Sequence, residues 1–172
     1  GVQTCALPIC TWQGQSVLLS AQTLTNNGAI QSADALQLTL ANNLTSAAGS
    51  KITALGNATL QALSLTNSGQ WTAKNLTLKG ATLDNSAAIS GVNALTLAMN
   101  GVVRQQKAGS MLSGGALDLT AASVTNDGKI QGATLGMTTG ALTNSGRLQG
   151  DNGATLSLSG DLINQASGEI VS

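Results

Sequence analysis

The side chains able to do chemistry are few in this chain of 172 residues. Lys and Arg total 7, as do Asp and Glu, so charged residues make up only 8% of the chain and the net charge is zero. His is absent, which excludes Ser/His/Asp and Cys/His nucleophilic sites and His-ligated metal. Glycoside cleavage needs paired carboxylates on one face, but these acids share no spacing: Asp34, Asp84, Asp118, Asp127, Asp151, Asp161 and Glu169. We therefore expect a protein that is not an enzyme and that holds no cofactor or metal.

The one local basic cluster is Arg104-Gln-Gln-Lys107. It has two interpretations: a weak surface contact with anionic glycans or lipopolysaccharide, or an ordinary solvated turn. Binding of duplex nucleic acid requires a denser cluster of cations, so we expect no nucleic-acid partner. A membrane-spanning helix takes about 20 consecutive apolar residues, and no apolar run in the chain comes near that length.

Asparagine recurs at one position of a repeated turn phrase. Leu24-Thr-Asn-Asn-Gly28 returns in similar form at residues 65–69, 124–128 and 142–146, and looser copies begin at Leu44, Leu83, Val103 and Leu162. In stacked repeats, this Asn forms a ladder in which each amide bonds to the next. The preference of Asn for turns explains the recurrence equally well. The Gly of the phrase predicts a turn that needs positive φ. The predicted ladder residues are Asn26, Asn67, Asn85, Asn126, Asn144 and Asn164.

The elements that must position these residues follow from the spacing of the phrases. Successive phrases begin at intervals of 18 to 21 positions, and the interval from Leu24 to Leu83 equals that from Leu83 to Leu142. Between phrases lie alternating pairs such as Leu36/Leu38, which place both apolar side chains on one face of a strand. A unit of about 20 residues is too small to bury its own apolar face, and stacking of units solves this problem. The sequence predicts an all-β parallel β-helix (β-solenoid) of about eight rungs, with a 59-residue super-repeat of three rungs.

The first nine residues do not fit this repeat. They hold the only Pro and one of the two Cys. One reverse translation of them resembles a common short-read sequencing adapter in one frame, and the repeat register also ends at Thr11. We therefore expect residues 1–9 to be a non-native, adapter-derived segment, with a native segment as the alternative. Cys5 and Cys10 are accordingly not interpreted as a disulfide or a metal pair.

Two phrases resemble a known repeat family. Residues 108–120, Ala-Gly-Ser-Met-Leu-Ser-Gly-Gly-Ala-Leu-Asp-Leu-Thr, and residues 142–150, Leu-Thr-Asn-Ser-Gly-Arg-Leu-Gln-Gly, are similar to haemagglutinin repeats. Such repeats form the shafts of filamentous haemagglutinin and of contact-dependent growth inhibition exoproteins. The resemblance covers residues 11–172 and implies a right-handed β-helix, here expected to be a fragment truncated at both ends.

The resemblance also implies a function. The parent would be secreted through an outer-membrane two-partner secretion transporter and displayed at the bacterial cell surface. Residues 11–172 would be a structural shaft, a rigid spacer in adhesion or toxin delivery. Host or neighbouring cells would be contacted by regions outside this chain.

An alternative function stays open at this point. It is a carbohydrate-binding or carbohydrate-cleaving β-helix, whose site would form from Arg104, Lys107 and neighbouring acids. Three N-x-Thr patterns, at Asn43, Asn57 and Asn75, fit glycosylation acceptors, although a chain this rich in Asn and Thr produces such matches by chance.

Overall fold

The computed structural model describes residues 11–172, so the segment 1–9 predicted to be non-native lies outside the described residues, as does Cys10. All regular structure in residues 11–172 is β, and no helix there is available to cross a membrane. The strands are β1 Thr11–Gly14, β2 Val17–Asn26, β3 Ala29–Ser32, β4 Leu36–Ser46, β5 Lys51–Gln61, β6 Ser64–Asn67, β7 Gln70–Gly80, β8 Thr82–Asn85, β9 Ala88–Met99, β10 Val102–Gln105, β11 Ser110–Ser113, β12 Ala116–Asn126, β13 Lys129–Asn144, β14 Arg147–Leu158, β15 Leu162–Asn164 and β16 Glu169–Val171.

These strands coil into a parallel β-solenoid of about eight turns. Every described pairing is parallel, and each strand pairs with the strand one turn further along the chain, as β1 does with β3 and β3 with β5. Strands in a sheet lie about 4.8 Å apart, so each turn, called a rung below, advances the rod by that distance. The predicted fold class is therefore confirmed.

Each rung has three faces, and one interior residue column identifies each face. The first face carries Trp12, Ile30, Ile52, Trp71, Ile89, Met111, Ile130, Leu148 and Ile170. The second carries Leu19, Leu38, Leu60, Leu78, Leu97, Leu119, Met137 and Leu156. The third carries Leu24, Leu44, Leu65, Leu83, Val103, Val124, Leu142 and Leu162.

These columns form one continuous core. Leu44, Leu65 and Trp71 have no exposed side-chain surface, and burying a Leu fully contributes about 2 kcal/mol. Among residues 11–172, no buried side-chain nitrogen or oxygen lacks a hydrogen-bond partner. The period-two alternation of the sequence thus supplies the buried apolar face of each strand.

The 59-residue super-repeat arises because every third rung is larger at two corners. The first corner joins the third face to the first face of the next rung. Its turns are short at most rungs, but they project at residues 47–50, 106–109 and 165–168, where each is closed by a backbone hydrogen bond of 2.8–3.1 Å. The third corner joins the second face to the third. In the same rungs this corner buries a larger side chain, Leu40 in one and Met99 in the next. The two rungs after each have smaller side chains at this position: Ala62 and Gly80 after Leu40, and Ala121 and Thr139 after Met99.

The glycines of the turn phrase play a different role from the one that the sequence predicts. Asn-Gly turns favour positive φ, yet Gly49 is the only described residue with positive φ, at 80°. Gly69 and Gly146 instead lie against the turn of the preceding rung, where an added Cβ would collide with the backbone oxygens of Ser50 and Gly128. Glycine is required at these turns because stacked backbones approach closely there.

Candidate functional site

The side chains that occupy the predicted ladder column lie at the end of the third face and point into the rod. In register, the column reads Asn26, Ser46, Asn67, Asn85, Gln105, Asn126, Asn144 and Asn164. Asn67, Asn85, Asn126 and Asn144 are completely buried, as is Gln105. A buried amide is stable only when its donors and acceptor are all engaged.

Four amides of the column each do two things at once: Asn26, Asn67, Asn85 and Asn126. Within its own rung, the side-chain oxygen accepts a hydrogen bond from the backbone N–H two residues later, as Asn67 Oδ1 does from Gly69 (3.0 Å). Toward the next rung, Asn67 Nδ2 donates to Asn85 Oδ1 (2.9 Å) and to the carbonyl of Ala88 (3.0 Å). At these four rungs the column residue therefore closes the first-corner turn and ties it to the following rung.

The amide-to-amide bonds form two separate series rather than one ladder. Asn67 donates to Asn85 and Asn85 to Gln105 (2.9 and 2.7 Å). The second series, one super-repeat later, runs from Asn126 to Asn144 to Asn164 (2.8 and 2.9 Å). Gln105 Nε2 does not continue the first series, because it donates to the carbonyl of Lys129 (2.8 Å).

Asn26 stands apart from both series. The next residue in its column is Ser46, and Asn26 Nδ2 donates to the carbonyl of Lys51 (3.1 Å). Ser46 Oγ accepts a hydrogen bond from Trp71 Nε1 (2.8 Å), and both side chains are buried. The indole N–H of Trp71 thus provides a hydrogen bond to Ser46, the column residue that has no amide.

The structure divides the predicted basic cluster. Arg104 is exposed on β10, directly opposite Asp84 of the previous rung, and Lys107 is exposed on the projecting turn 106–109. Between them, Gln105 points inward and Gln106 Nε2 donates to Asp84 Oδ1 (2.6 Å). Sequence reasoning treats 104–107 as one surface turn and so misses Gln105. The signal that identifies it is the phrase beginning at Val103, in which Gln105 takes the position of Asn26 in the phrase beginning at Leu24.

Residues that could hold a metal or perform acid–base chemistry do not come together. Within residues 11–172, no group of three His, Cys, Asp or Glu side chains is placed to bind a metal ion. Two of the carboxylates instead accept hydrogen bonds from neighbouring side chains: Asp127 from Ser145 Oγ (2.6 Å) and Asp151 from Gln131 Nε2 (2.9 Å). Asn57 and Asn75 of two N-x-Thr patterns lie on adjacent rungs, where Asn75 Nδ2 donates to Asn57 Oδ1 (2.8 Å).

The fold and this column define a repeat protein of the β-solenoid class whose rungs are tied by buried amides. Comparison identifies its relatives as contact-dependent growth inhibition exoproteins, CdiA. The chain is 52% identical over 120 residues, 70% of its length, to the tRNA nuclease CdiA of Escherichia coli strain NC101. It is 51% identical over 120 residues to the 16S rRNA endonuclease CdiA of Enterobacter cloacae subsp. cloacae. With the tRNA nuclease CdiA of Escherichia coli strain STEC_O31, identity is 48% over 161 residues, 83% of the chain.

The resemblance predicted from the repeat phrases is therefore confirmed. The chain spans only about 4% of the length of each of these relatives. No family model matches the chain, and no solved structure matches it. The relatives are named for nuclease activities, but the similarity to this chain covers only one short region of those large proteins.

Proposed function

We propose that residues 11–172 are a non-catalytic stretch of the shaft of a secreted contact-dependent growth inhibition exoprotein. The observation that carries this proposal is that relatives named for different activities share the region almost equally. The tRNA nuclease relative is 52% identical and the 16S rRNA endonuclease relative 51% identical, each over 120 residues. A region that stays similar while the named activity changes suits a role common to both proteins.

The proposed mechanism is mechanical. Continuous parallel pairing, the three apolar columns and the buried amides tie each rung to the next along the whole described chain. About eight rungs spaced roughly 4.8 Å apart make a stiff element on the order of 40 Å long. Such an element holds distal regions of the exoprotein away from the cell that displays it.

The partners follow from the same proposal. Export would use an outer-membrane two-partner secretion transporter, and the protein would be displayed at the bacterial surface. Contact with host or neighbouring cells would be made by regions outside this chain. Rungs of about 20 residues suit such export, because each can stack on the previous rung as the chain emerges.

An exchange experiment tests the spacer role. In the CdiA of Escherichia coli strain NC101, the region similar to this chain is replaced either by residues 11–172 or by a Gly/Ser linker of the same length. We expect the first replacement to keep growth inhibition of target cells in co-culture and the flexible linker to lose most of it. Full inhibition with the linker would show that a stiff element is not needed there. A second assay checks the non-catalytic part, because cleavage of tRNA or 16S rRNA by the isolated chain would contradict it.

A further inference from the structure

The first corner carries most of the positive charge of the chain. Five of the seven basic residues lie on its turns or next to them: Lys51, Arg104, Lys107, Lys129 and Arg147. Three acids share this edge, Asp84, Asp127 and Glu169. With five bases and three acids, the edge has a net charge of plus two, and the rest of the rod, with two bases and four acids, has minus two.

The acids of this edge are already engaged. Asp84 accepts from Gln106 and Asp127 from Ser145, both at 2.6 Å. Glu169 pairs with Arg147 in the only ion pair among residues 11–172. The remaining four cations of the edge therefore have no carboxylate partner in the described chain: Lys51, Arg104, Lys107 and Lys129.

Two cations of this edge are stacked against each other. Lys129 and Arg147 are directly opposite on adjacent rungs, and theirs is the only like-charge pair in register among the described strand pairings. Like charges in this arrangement destabilise a sheet, and the rest of this charge-poor rod avoids them. Lys107 adds a third cation on the turn one rung earlier. This turn lies directly beside Lys129, because the Gly109 carbonyl accepts a hydrogen bond from the backbone N–H of Lys129 (3.1 Å). Glu169 offsets Arg147 from the following rung, but Lys107 and Lys129 have no carboxylate partner in the described chain. This positive charge does not contribute to folding, which indicates a role outside folding.

The edge also has a matching shape. Between the projecting turns 47–50 and 106–109 lies a cavity of about 440 Å³, whose polar lining includes Ser50, Lys51, Ser68, Gln70 and Ser110. One super-repeat later, Lys129 and Arg147 follow the short turns between the projecting turns 106–109 and 165–168. Hydroxyl, amide and ammonium groups therefore recur in single file along the rod axis. Such a row, set between projecting turns, fits a linear chain laid along the axis better than a flat bilayer.

We infer that the first-corner edge binds a linear acidic polysaccharide. Lys107, Lys129 and Arg147 contact its carboxylate or sulfate groups, while Lys51 and the polar lining of the cavity contact the neighbouring sugars. This binding goes beyond the spacer role and does not depend on it, because a stiff shaft needs no ligand along its side.

The test compares two double variants of the full chain that remove the same charge. Lys107→Gln/Lys129→Gln changes two exposed lysines of the edge, and Lys74→Gln/Lys79→Gln changes two exposed lysines elsewhere on the rod. Binding to dextran sulfate, to neutral dextran and to phosphatidylglycerol vesicles is measured at two salt concentrations. The urea midpoint of each variant is measured to establish that it is folded.

We expect the unchanged chain to bind dextran sulfate, with affinity falling as salt rises, and to bind neutral dextran far more weakly. The edge variant should bind dextran sulfate about tenfold more weakly, as expected for two exposed charge contacts, and the control variant should change by less than about twofold. Equal losses in both variants would overturn the proposal, because mean charge would then explain them. It would also be overturned if the unchanged chain does not bind dextran sulfate, or if it binds only the vesicles.

Discussion

Two regions of the rod that lie one super-repeat apart have the same backbone arrangement but fill their interior with different side chains. The turns 47–50 and 106–109 have the same length and the same closing hydrogen bond. In the first region Ser46 is paired with Trp71, whose indole donates to it; in the second, the long Gln105 side chain accompanies the smaller Ile130. All four residues are buried, none with more than 1% exposure. The column residue and the first-face residue of the next rung therefore share one interior space. Their combined volume fills that space, so a smaller side chain at one position goes with a larger one at the other.

The largest effect is expected from two deletions that test whether regions one super-repeat apart are structurally equivalent. Removing residues 72–130 takes out one whole super-repeat unit and joins Trp71 to Gln131. Removing residues 72–89 takes out a single rung and joins Trp71 to Ser90. We expect the 59-residue deletion to be the more stable of the two by at least about 2 kcal/mol, because it restores every corner to its usual neighbour. The one-rung deletion instead places the wide third corner of Met99 against Ala62 rather than Gly80.

Urea unfolding followed by circular dichroism measures both variants against the unchanged chain. Nearest-neighbour additivity alone predicts the opposite order, because stability in a stacked repeat grows with the number of rungs. A higher urea midpoint for the one-rung deletion would therefore show that rungs are interchangeable and that the 59-residue unit has no structural meaning.

The next largest effect comes from exchanging the paired side chains. Trp71→Ile alone leaves a cavity and removes the donor to Ser46, which should cost about 3 kcal/mol of unfolding free energy. Ser46→Gln alone overfills the space beside the indole, at about 1–3 kcal/mol. The double variant imitates the second region and should recover at least about 1 kcal/mol of the summed cost. A double-mutant cycle in urea checks this, and additive costs would refute the shared interior space.

A smaller effect distinguishes the amide series from the isolated Asn26. Asn85 accepts from Asn67 and donates to Gln105 and Ala87, whereas Asn26 bonds only to backbone groups. Asn85→Ala should cost about 2–3 kcal/mol, because two buried neighbours lose a partner, and Asn26→Ala should cost about 1 kcal/mol. Thermal and urea unfolding of the two variants measure the difference. Equal costs would mean that the amide-to-amide bonds add nothing beyond closing the turn, which is the turn-preference interpretation of the repeated Asn.

Much of the fold could be predicted because equivalent positions in successive repeats lie in register with one another. The phrases beginning at Leu24, Leu44 and Leu65 lie in one column of the third face, and the alternating pairs supply the second face. Periodicity shows which residues share a column. It does not show how closely the backbones approach, so it attributes the glycines to positive φ when most of them are set by contact between turns.

The site could be predicted less completely, for two physical reasons. Arg104 and Lys107 flank Gln105, so an interpretation by charge treats 104–107 as one surface segment. The phrase that begins at Val103 nevertheless aligns Gln105 with the Asn of the amide column. The cationic edge cannot be found from local clustering, because Lys51 and Lys129 are far apart in sequence and share a column only through the coiling of the chain.

The smallest expected effect concerns the ion pair of Arg147 with Glu169, the surface counterpart of the buried amides. Its side chains are 40% and 57% exposed, so solvent screens their attraction, and Glu169→Gln should lower the unfolding free energy by less than about 0.5 kcal/mol. The same change removes the one carboxylate that neutralises an edge cation, so binding to dextran sulfate should become tighter while the urea midpoint barely moves. If this substitution destabilised the rod as much as Asn85→Ala, rung-to-rung cohesion would depend on surface charge rather than on the buried column, and the comparison between the two kinds of contact would fail.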